Sequence, residues 1–178
     1  MMGEETFHPD TRALLAYGRA LAGAGGLTPA RKGRADMVLE RLFVIERTAD
    51  GRLPIRTFGA DLVKLFGRDL KDHDFARLWL APDLRMINAL IDACAAAKEP
   101  GIARITAETV AGKRLGAEIL LTPLKVEQPL GERYLGLFQS LGGQSFLEAQ
   151  SIQRLRIGSL HPPLAKTPKG VRLVVSNG

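Results

Sequence analysis

Residues 58 to 79 read FGADLVKLFGRDLKDHDFARLW, a stretch dense in apolar and charged residues with no pair that does chemistry by itself. Leu62, Val63, Leu65 and Phe66 recur at helical spacing, which predicts a two-turn helix over residues 60–66 stopped by Gly67. Gly59 lets the chain leave whatever precedes it sharply. Residues 72–79 predict another short helical turn, with Asp69 placed to cap it. Two such short helices are walls for something larger, and the flanking segments decide what.

Upstream, residues 41–46 (RLFVIE) form a β-branched and aromatic run and residues 53–58 a second one. Asp50-Gly51 between them is a tight-turn signal, so the pair is expected to be a hairpin. Downstream, Pro82 suits the first turn of a longer helix, with Leu84, Ile87, Leu90, Ile91 and Cys94 on one face, ending before Pro100-Gly101. Three more strands follow at 102–110, 115–124 and 133–141, separated by turns at 111–113 and 128–131. A helix over residues 10–21, N-capped by Asp10, precedes a Gly/Pro/Arg-rich linker. Helices bunched between two runs of strands predict an α+β fold: one five-stranded antiparallel sheet with short helices on one face, plus the N-terminal helix. The expected organisation is an N-terminal helix and linker at 1–40, the domain at 41–142, and a C-terminal extension with a basic tail at 143–178.

Alternation assigns faces to the strands. Ala103, Ile105 and Ala107 share one face, and Ala117, Ile119 and Leu121 another. In the last strand Leu135, Leu137 and Gln139 are taken to point inward, with Tyr134, Gly136 and Phe138 opposite. Tyr134, Phe138 and Leu120 then make the outer face apolar, to be covered by the 10–21 helix or a second subunit. On this reading Phe138→Glu or Tyr134→Glu would break a homodimer.

With 178 residues, 46% apolar and 25% charged, the composition is that of a globular chain. No apolar run reaches the roughly 20 residues of a membrane helix. The start, MMGEETFHPD, is unlike a signal or transit peptide, and the single cysteine, Cys94, excludes an internal disulfide. These features favour the cytoplasm. The net charge is +6, but no acidic residue follows Glu148, whereas Arg154, Arg156, Lys166, Lys169 and Arg172 do. The charge is thus a basic tail, not a basic folded face, which weighs against nucleic-acid binding by the domain. Residues 171–175 (VRLVV) could add as a strand to a sheet edge. His8, His73 and His161 lie far apart, and no acid–base pair, metal-ligand spacing or phosphate loop emerges, so no enzymatic activity is expected.

The order of elements is that of a PAS domain. Arg56-x-x-Gly59, then Leu62, Phe66-Gly67-Arg68-Asp69-Leu70 and Leu78-Trp79 together resemble the small single-domain PAS proteins of alphaproteobacteria, some linked to motility and cell-cycle control. Pro29-Ala30-Arg31 and RLRIGSL (154–160) extend the resemblance from about His8 to Leu160. It implies a sensor or protein-interaction module whose output passes through a signalling partner, there being no room after the domain for a kinase, cyclase or DNA-binding unit. Enzymatic turnover of a small molecule and nucleic-acid binding through the basic tail are the alternative readings.

The resemblance also implies a cavity between helices and sheet. Phe58, Leu62, Phe66, Trp79, Met86, Leu90 and Cys94 would line it from the helix side. Ile105, Ile119 and Leu137 would line it from the sheet, with Gln139 at the strand end. Such a cavity would take a small apolar ligand or be a dry, packed core. KDHDFARLW lacks the cysteine of flavin photosensors, and the long helix lacks the histidine of haem PAS domains. Cys94 on that helix is either a thiolate ligand or a small buried hydrophobe. The cofactor is left unknown. Arg56, Arg68 and Asp69 are either an ion-pair set fixing the loops or polar contacts to a ligand.

Overall fold

The computed structural model describes residues 6–23, 38–125, 131–147 and 149–164. The expected linker, most of the 128–131 turn, the 171–175 strand and the tail lysines lie outside these residues. Helix α1 (Pro9–Gly23) is followed by the hairpin β1 (Leu42–Arg47) and β2 (Ile55–Phe58). Next come α2 (Ala60–Phe66), a 3-10 turn (Phe75–Leu78) and the long α3 (Ala81–Ala97). Strands β3 (Gly101–Thr109), β4 (Arg114–Leu124) and β5 (Glu132–Ser140) complete the expected set. A second 3-10 turn (Gln144–Leu147) then leads to a further strand, β6 (Ile152–His161).

The sheet is antiparallel throughout, in the order β2-β1-β5-β4-β3-β6. It has six strands where the sequence predicts five. The physical reason is a bulge. Glu108 pairs with Arg154 but Thr109 pairs with Ile152, so Gln153 is extra. Both Ile152 and Leu155 therefore reach the core from positions three apart, and strict alternation is lost.

Strand β5 is the second correction. Tyr134 and Phe138 belong to the main core beneath the helices, while Leu137 lies in a separate cluster with Phe7, Leu15, Ile102 and Leu120. Both faces of this strand are apolar, so alternation alone does not orient it. Pairing does: Phe43 and Ile45 of β1 stand opposite Gly136 and Tyr134, and Ile119 and Leu121 of β4 stand opposite Phe138 and Gly136. Paired residues share a face, so inward Phe43 and Ile119 bring Tyr134, Gly136 and Phe138 inward with them. Consequently Phe138→Glu and Tyr134→Glu would place a carboxylate in the core and disrupt the fold; these positions are not a dimer surface.

The outer face is covered by α1, one of the two covers expected. Its Leu14 and Leu15 pack on Ile102, Leu120 and Leu137. Its first turn is capped by His8, whose carbonyl accepts from Arg12 N–H at 2.9 Å and whose Nδ1 accepts from Asp10 N–H at 3.2 Å. Asp10, expected as the cap, instead pairs with Arg41 at 3.0 Å. Hence α1 is tied to the start of the β1–β2 hairpin as well as to the sheet.

Gly136 has no side chain because the Phe43 ring occupies the space: an added Cβ would fall 2.1 Å from Phe43 Cζ. Gly136→Ala is expected to lower unfolding free energy by about 1–3 kcal/mol, read as a reduced urea midpoint at unchanged slope. A midpoint equal to the parent's would mean that the ring moves aside at no cost.

Candidate functional site

The stretch 58–79 wraps the inner face as expected, with different detail. Gly59 is extended (φ −68°, ψ 156°) and precedes α2 without a sharp bend. Glycine is needed there because a Cβ would meet the Glu40 carbonyl oxygen at 2.2 Å. Gly67 ends α2 in the left-handed region at φ 66°. Asp69 does not cap the next turn; its Oδ1 accepts from Lys71 N–H at 2.9 Å. Asp74 caps it, accepting from Ala76 N–H at 3.0 Å.

Between helices and sheet the expected cavity is filled by rings. Phe66 meets Phe58 and Phe138 edge-on at 5.5 and 6.0 Å, and Phe75 meets Phe43 and Trp79 at 5.6 Å each. Such contacts add about 0.5–1.5 kcal/mol per pair beyond burial. A void of about 10 Å³ remains among them, lined by Phe58, Leu62, Phe66 and Ile119 among the expected residues, and by Phe43, Phe75, Leu78, Phe138 and Leu155. That is room for roughly one water molecule. Four of the expected lining residues are therefore brought together. Trp79 joins them through Phe75, its Nε1 buried without a hydrogen-bond partner among the described residues. Leu90, Ile105 and Cys94 are core residues that do not line the void.

Three expected positions are elsewhere. Met86 is 41% exposed on α3 and points away from the core. Leu137 faces α1. Gln139 lies on that outer face too, hydrogen-bonded to Arg41 and donating to the Ser140 carbonyl at 2.8 Å. Phe43 and Phe75 were legible as apolar residues, but their ring-filling role depends on the bare surface at Gly136, a long-range pairing.

Cys94 donates to the Leu121 carbonyl at 3.8 Å, and burial pushes its thiol up to about 12. Cys94 packs within the main core as a small buried hydrophobe. Among the described residues, no group of three or more His, Cys, Asp or Glu could hold a metal ion. Among the same residues, no helix is long and apolar enough to cross a membrane.

Arg56 is engaged in structure. It reaches Glu46 through Nε and a terminal nitrogen, both at 3.3 Å, and Asp72 at 3.4 Å. Arg133 of β5 also donates to Glu46 at 2.8 Å. One nearly buried carboxylate thus joins β1, β2 and β5, and through Asp72 the loop after α2. Arg68 is no part of this network.

Residues 6–139 match the family described as PAS domain, and the chain belongs to it. No curated protein matches the sequence. Among solved structures, the dark form of the blue-light photoreceptor Aureochrome1 LOV is similar at 11% identity and a TM-score of 0.47, over 70% of this chain and 94% of that one. The Rhodobacter sphaeroides LOV protein is similar at 14% identity and a TM-score of 0.47, over 64% and 69%.

The Arg56 hydrogen bonds, with those of Arg133 and against the effect of burial, hold the Glu46 carboxyl below its usual range. A lowered folded-state pKa contributes stability that is full above the ordinary carboxylate range and lost as pH falls through the lowered value. Glu46→Gln is expected to lower stability near neutral pH by about 1–3 kcal/mol and to flatten its loss on acidification. Parallel stability curves against pH for the two proteins would remove this role.

Proposed function

We propose that the chain is a sensor and protein-interaction module of bacterial signalling, acting through contacts with a partner protein and not by catalysis. PAS domains commonly mediate interactions and bind small ligands, and family membership supports that class of activity. The observation that carries the choice within it is the filled core. Five phenylalanines and Trp79 occupy the space between helices and sheet, leaving about 10 Å³ where a chromophore or haem needs hundreds. In its finer form the reading assigns a partner in motility or cell-cycle control. The support for that is the pattern from Arg56 to Trp79 alone.

The test is native mass spectrometry of the full chain purified from its own host, with a visible absorbance spectrum of the same sample. The expected result is a colourless protein whose core holds no stoichiometric chromophore. A visible band accompanied by a matching added mass would overturn the filled-core reading and make the domain a cofactor-based sensor.

A further inference from the structure

Outside the core, the loop between α2 and the 3-10 turn forms a cleft of about 210 Å³. Its floor is apolar, made by the buried side chains of Ile55, Leu70 and Leu78. Its walls carry Arg68, His73, Asp74 and Arg77. We propose that this cleft binds a small organic oxyanion: a carboxylate or phosphate head on a short apolar body.

The charges around the cleft are unequally committed. Asp74 Oδ1 accepts from the Leu53 and Ala76 N–H groups at 3.3 and 3.0 Å. Asp69 accepts from Lys71 N–H, and Asp72 pairs with Arg56. All three carboxylates near the cleft are thus bound to backbone donors or to another arginine. Among the described residues, neither Arg68 nor Arg77 has a side-chain hydrogen bond or ion pair with the protein. Two unpaired guanidiniums beside an apolar floor have the chemistry of an oxyanion site, because each fork can give paired donors to one head group. His73 Nδ1 lies 3.1 Å from the Lys71 carbonyl, which leaves its Nε2 unengaged.

The site is held by backbone, not by chance packing of side chains. Ile55 N–H donates to the His73 carbonyl at 2.9 Å, Asp72 N–H to the Ile55 carbonyl at 2.7 Å, and Phe75 N–H to the Leu53 carbonyl at 2.9 Å. The loop is therefore stitched to the edge of β2, and the arginines project from a fixed frame, which lowers the ordering cost of binding. The volume admits a single ring or a short chain and no nucleotide-sized molecule.

The cleft opens on the outer side of the loop and shares only Leu78 with the lining of the core void, so this assignment can fail without affecting the filled-core reading. The test is a titration of the isotope-labelled full chain with phenyl phosphate, benzoate and inorganic phosphate, followed by amide chemical shifts. Saturable shifts over residues 68–78 are expected with at least one of the two organic acids, and the tighter of the two names the head group. Inorganic phosphate is expected to bind more weakly. Arg68→Gln with Arg77→Gln is expected to weaken binding roughly tenfold for each arginine replaced. Both side chains are exposed, so the thermal midpoint should hold. Should it fall, the Arg68→Lys and Arg77→Lys pair decides instead, with weakened but measurable binding expected. The proposal is overturned by no saturable shift with either organic acid, by shifts centred elsewhere, by unchanged affinity in the arginine variants, or by inorganic phosphate binding as tightly as phenyl phosphate.

Discussion

The Phe43 ring rests on the bare backbone of Gly136, where any larger residue would collide with it. This contact fixes more than one strand pair. With Phe43 inward, the antiparallel register turns Gly136, Tyr134 and Phe138 inward together, because a shift of one residue would exchange the two faces. Phe138 then meets Phe66 of α2, and Phe43 itself meets Phe75 of the 3-10 turn. The rings that fill the core are thus arranged by one glycine on the far strand. Tyr134 follows the same parity, and its buried hydroxyl is satisfied by donating to Glu132 at 2.8 Å.

The same parity sends Leu137 outward, and with Ile102 and Leu120 it makes an apolar outer face that water cannot cover cheaply. The chain covers it with its own N-terminal segment. Glu118, fully buried on that face, accepts from His8 N–H at 3.0 Å and lies 3.5 Å from Arg104 Nε. Arg104 in turn stands over the Phe7 ring at 5.1 Å and donates to the Thr6 carbonyl, while His161 meets Phe7 edge-on at 4.9 Å. Burial, then the neighbouring Arg104, lowers the His161 pKa and favours the neutral ring in this contact. A buried carboxylate therefore anchors the cover, and the residues leading into α1 are as much a part of the domain as its strands.

The sequence made the helices and five of the strands legible because each has a local signal: turn dipeptides, Gly67, Pro82, or a clean period. What it left hidden depends on pairing. Strand β6 escapes because Gln153 bulges and breaks the alternation, although Ile152, Leu155 and Ile157 supply the apolar residues. The orientation of β5 escapes because leucines on one face and aromatics on the other satisfy alternation equally well. Only the glycine between Tyr134 and Phe138 carries a hint, as a strand glycine marks a close approach. Within the candidate site, Phe58, Leu62, Phe66 and Ile119 follow from element order and period. The exposure of Met86 and the outward turn of Leu137 and Gln139 do not. The cleft beside Arg68 was invisible for a different reason: it depends on which carboxylates are already bound, and partner choice is not written in charge count.

The stretch from Phe58 to Trp79 also shows why this middle region decides the architecture. Residues 72–75 exchange backbone hydrogen bonds with Leu53 and Ile55, and Asp74 bridges Pro54, so the outer edge of β2 is engaged at its start. At its end, Trp79 bridges Leu155 on β6, the opposite edge of the sheet. One segment thus engages both edge strands while its apolar side chains close the inner face between them. An unpaired edge invites backbone addition by another chain, and these contacts occupy each edge at one point, Ile55 on β2 and Leu155 on β6. The middle region thus fixes where β2 and β6 sit relative to the helices that close the inner face, because it is bonded to the backbone of both.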